Sequence, residues 1–145
     1  MNVLYEELLS NLKVISMIPE NGKLCIRNGH LSIEKIAPNM ITWMHVTLKR
    51  WWYQDSRQSI IVLLTNVVHR SEGFCKSLMT NMSSENHWLL KQFSTEFENS
   101  LSGIKFLIKT YDDDAGIKAR LSVLSDQITE CIKNINLSLN NNNGN

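Results

Sequence analysis

The residues best suited to recognition lie close together in this 145-residue chain. The segment Leu48-Lys49-Arg50-Trp51-Trp52-Tyr53-Gln54-Asp55-Ser56-Arg57 holds two adjacent tryptophans, a tyrosine and three cations, with Trp43 two turns upstream. Trp and Arg are favoured at the energetic centres of protein interfaces, where a large flat side chain or a rigid multi-donor head is buried. Aromatics interleaved with cations also suit stacking on single-stranded nucleic acid or seating at a membrane interface. A packing reading competes with these. Adjacent helical positions point about 100° apart, so Trp51 and Trp52 cannot both occupy the middle of one buried stripe. One is then core and the other its shoulder, while Arg50 and Arg57 brace the connection at 53–56 through carbonyls or Asp55. The candidate partner-binding residues are therefore Lys49, Arg50, Trp51, Trp52 and Arg57.

Catalytic and metal chemistry finds less footing. His30, His45, His69 and His87 have no partner at a helical ligand spacing, and no H-E-x-x-H pattern is present. Asp112-Asp113-Asp114 lacks the alternating layout of a calcium loop and reads as the cap of a final helix. There is no G-x-S-x-G elbow and no P-loop. Cys75 and His69 share one predicted helix, but their six-residue spacing turns them about 120° apart, which does not pair a nucleophile with a base. The expectation is a protein that is not an enzyme, with no catalytic residue, no metal and no cofactor.

Cys25, Cys75 and Cys131 are odd in number and widely spaced, and each lies among apolar neighbours. They read as small buried hydrophobes in a reducing intracellular compartment rather than as a disulfide framework. No apolar run approaches the roughly 18 residues of a spanning helix. Glu6 and Glu7 stand where a secretory leader would carry positive charge, so no leader is expected. The formal net charge of +1 excludes a polybasic nucleic-acid coat. That total conceals a split. Residues 41–80 carry five basic and two acidic side chains, and residues 81–117 carry three basic and six acidic. Opposite regions of this kind can satisfy each other within the fold or associate between copies. The basic excess is small for a nucleic-acid binder.

The elements that must position these residues are mostly helical. Leu4, Leu8, Leu12 and Ile15 recur at helical spacing, with Leu9 widening the stripe, and predict a helix over 2–16. Residues 23–34 then switch to a period of two around Asn28-Gly29, the preferred pair for a type I′ turn. Closing that turn pairs Leu24 with Ile33, Ile26 with Leu31 and Lys23 with Glu34. The resulting apolar face must dock on helices, since a lone hairpin is marginal in water. A second helix is expected at about 39–53, and a third at roughly 56–80, capped by Asp55 or Ser56. The third contains Ile60-Ile61-Val62-Leu63-Leu64, apolar almost all round and so expected in the centre of the core. Gly73 is expected to bend or weaken it. Ser83-Ser84-Glu85 opens a fourth helix carrying Leu89, Leu90, Phe93, Phe97, Leu101, Ile104, Leu107, Ile108 and Tyr111. In a fifth, Ile117, Leu121, Leu124, Ile128, Cys131 and Ile135 form a narrow seam that suits an antiparallel neighbour or a partner chain. The expected architecture is mainly α: about five helices in one bundle-like domain over 1–136, a β-hairpin at 23–34 between the first two, and an Asn-rich flexible tail at 137–145.

The run Arg50-Trp51-Trp52-Tyr53-x-x-Ser56-Arg57, together with Gly22-Lys23-Leu24-Cys25-Ile26 and Gly29-His30-Leu31-Ser32-Ile33, resembles a pattern in small helical proteins of large nucleocytoplasmic DNA viruses. The resemblance covers roughly residues 1–80. Gln54 stands where that pattern carries glycine. The resemblance implies a viral protein in the virion or host cytoplasm and carries over no catalytic residue. Two functions are expected from these readings. The first is a non-catalytic interaction or structural protein, a virion component or host-factor binder, with a protein partner or a second copy. The alternative is a small nucleic-acid-associated module using the Trp/Arg-rich segment 43–57.

Overall fold

Four segments with apolar residues three and four apart fold as helices and bury those stripes against one another. In the computed structural model, residues 2–18, 22–27, 30–35, 57–111 and 114–142 are described. Helix α1 spans Asn2–Ser16, α2 Arg57–Met79, α3 Ser84–Thr110 and α4 Ala115–Asn142. Between α1 and α2, strands β1 (Gly22–Arg27) and β2 (His30–Lys35) pair antiparallel, with Lys23 opposite Glu34 and Arg27 opposite His30.

The expectation of five helices gathered with a hairpin is corrected by this arrangement. The described residues hold four helices, and the fold is a mainly α bundle. The strands pair only with each other. The four helices carry the buried apolar core, which Ile18 just beyond α1 and Tyr111 just beyond α3 complete. The helix expected at 39–53, with Met40, Met44 and Leu48 on its buried face, lies outside the described residues.

Local signals account for the helix ends. The Ser83 hydroxyl accepts from the Asn86 backbone N–H at 3.1 Å, and Glu85 sits in the first turn, where the dipole favours an anion. Asp114 caps α4 by accepting from the Ile117 N–H at 3.1 Å. Gly73 does not end α2, which runs through it, and a side chain there would meet nothing within 4 Å. At its far end α4 continues to Asn142, beyond the boundary expected for a flexible tail. The cause is Leu139, which extends the buried stripe one turn past Ile135.

Short connections make α2 antiparallel to α3, and α3 antiparallel to α4. Phe74 of α2 meets Phe93 of α3 at 5.5 Å between ring centroids, and Phe93 meets Phe97 at 6.3 Å, both tilted as aromatic pairs prefer. The Ser94 hydroxyl of α3 donates to the Asn136 side-chain oxygen of α4 at 3.1 Å. The seam of Ile117, Leu121, Leu124, Ile128, Cys131 and Ile135 is buried, and the α3–α4 interface is the most extensive in the bundle. On another side of α3, Gly103 lies directly under the Ile15 carbonyl of α1, and a methyl at Gly103 would overlap that carbonyl. The glycine is required there by close backbone approach, since the surrounding helix is regular.

Candidate functional site

Because α2 and α4 are each antiparallel to α3, they run parallel to each other. Their first turns are tied by Arg120, which donates to the Gln58 side-chain oxygen at 2.8 Å. An apolar groove of about 400 Å³ opens between them, walled by Ile61, Val62 and Thr65 from α2 and by Val123, Leu124 and Gln127 from α4. Ile61 and Leu124 form its buried floor. Val62 is 55% exposed and Val123 is 64% exposed, so each wall presents a bare valine to solvent.

Past Gln127, the contact between α2 and α4 is polar. The Glu72 carboxylate accepts from the Cys131 thiol at 3.2 Å and from the Gln127 amide at 3.5 Å, and pairs with Lys76 at 3.5 Å. Burial pulls the Glu72 pKa upward, but the thiol hydrogen bond and the Lys76 charge outweigh it and leave the carboxyl below its ordinary value. Burial pushes the Cys131 thiol up to about 12, helped by its bond to Glu72. Cys75 is raised further, first by burial and then by the neighbouring Cys131 and Glu72. At neutral pH both sulfurs are therefore protonated thiols. A thiol in this state is a poor nucleophile and a poor metal ligand. His69 is exposed on α2 while Cys75 is buried, so the two do not assemble a nucleophile–base pair. Among the described residues no group of three or more His, Cys, Asp or Glu could hold a metal ion. No helix among them is long and apolar enough to cross a membrane.

Arg57 is the first residue of α2. Lys49, Arg50, Trp51 and Trp52 lie outside the described residues, so the structure brings none of the five sequence candidates into a described site. The residues it does bring together were not singled out as contacts. Val62 belongs to the run expected to be central in the core. That expectation is corrected: Ile60, Ile61 and Leu64 are buried and Leu63 is half-buried, but Val62 faces out. The available signal was angular. Any residue in a five-residue apolar helical run points about 100° from the next, so one must face away from the bundle unless it is enclosed on all sides.

Two ion pairs among the described residues do not join the basic 41–80 stretch to the acidic 81–117 stretch. Arg70 pairs with Glu7 at 3.6 Å, and Lys76 pairs with Glu72 one turn away on the same helix. Both are surface pairs of small energetic weight.

The chain matches no protein-family model, no curated protein and no solved structure.

Proposed function

We propose that this chain is a non-catalytic interaction or structural protein whose contact surface is the α2–α4 groove. One observation carries this reading: Val62 and Val123 stand bare on opposite walls of one apolar groove. Scattered exposed apolar side chains are ordinary on a protein surface, but apolar side chains gathered around one concavity mark contact sites. A setting in a large DNA virus, as a virion component or host-factor binder, rests on the resemblance of residues 1–80 alone.

Photocrosslinking tests the proposal. A photoreactive side chain at position 123 is compared with one at the exposed position 98 of α3. The expected result is a discrete adduct from position 123 that disappears in the Val62→Lys background. Equal adducts from both positions, or an adduct indifferent to Val62→Lys, would remove the groove as a contact surface.

A further inference from the structure

We draw no further inference here: the strongest candidate, the apolar groove between α2 and α4, is the contact surface already proposed, and nothing in the structure shows what covers it.

Discussion

The α1–α3 seam and the α2–α4 seam are built on opposite principles within one bundle. At the first, α1 presses backbone onto backbone, with the Ile15 carbonyl over Gly103 and no room for a methyl. At the second, two parallel helices touch at Gln58 with Arg120 and again at Glu72 with Gln127 and Cys131, and an apolar groove with a bare valine on each wall lies between these contacts. The closed seam is satisfied by its own chain. The open seam has apolar surface left over. Glycine lets the first pair of helices close backbone to backbone, whereas the second leaves a valine on each helix uncovered. Stability should therefore concentrate at the first seam and association at the second.

Substitutions along the two seams test this contrast directly. Phe97, fully buried earlier on α3, should lose about 3–5 kcal/mol on truncation to alanine, read as a lowered denaturant midpoint. Gly103→Ala should cost about 1–3 kcal/mol by overpacking against Ile15, even though alanine is the better helix former. If thermal melting shows Gly103→Ala neutral or stabilising, the closed seam is not closed and the contrast fails. Val62→Lys and Val123→Lys should change the unfolding free energy by no more than about 0.5 kcal/mol while abolishing association. A large loss of stability from either would mean that the open seam also belongs to the core.

The polar contact between Glu72 and Cys131 adds a pH test. The folded-state pKa of Cys131 lies above its ordinary value of 9.0, so the folded chain holds this proton more tightly than the unfolded chain. The associated stability is complete below pH 9.0 and is lost as pH rises toward about 12. Glu72 has the opposite sign: its stabilisation is present above its ordinary value of 4.5 and is lost as pH falls below that. Melting curves of Cys131→Ala should flatten the alkaline limb, and those of Glu72→Gln the acid limb. The Glu72 effect should be the smallest of the series, since this carboxylate is partly solvated.

Much of the helical scaffold was legible residue by residue. The stripe Ile117, Leu121, Leu124, Ile128, Cys131 and Ile135 announced its burial through spacing, and Ser83 and Asp114 announced helix starts through capping chemistry. The end of α4 was less legible, because a run of asparagines carries no helical periodicity. A single apolar residue, Leu139, was enough to carry the helix through it by packing. The candidate groove was not legible. Val62 and Val123 are ordinary members of amphipathic helices, and whether a flanking valine is covered depends on how far the neighbouring helix stands off.

The amino-acid order by itself determined where these helices lie and which stripes they bury, because periodicity, capping and turn chemistry act within a few residues. Only the tertiary structure decided which seams close and which stay open. That outcome depends on distances between side chains far apart in the chain. Ile15 meets Gly103 and Gln58 meets Arg120, and no local pattern encodes the space between Val62 and Val123.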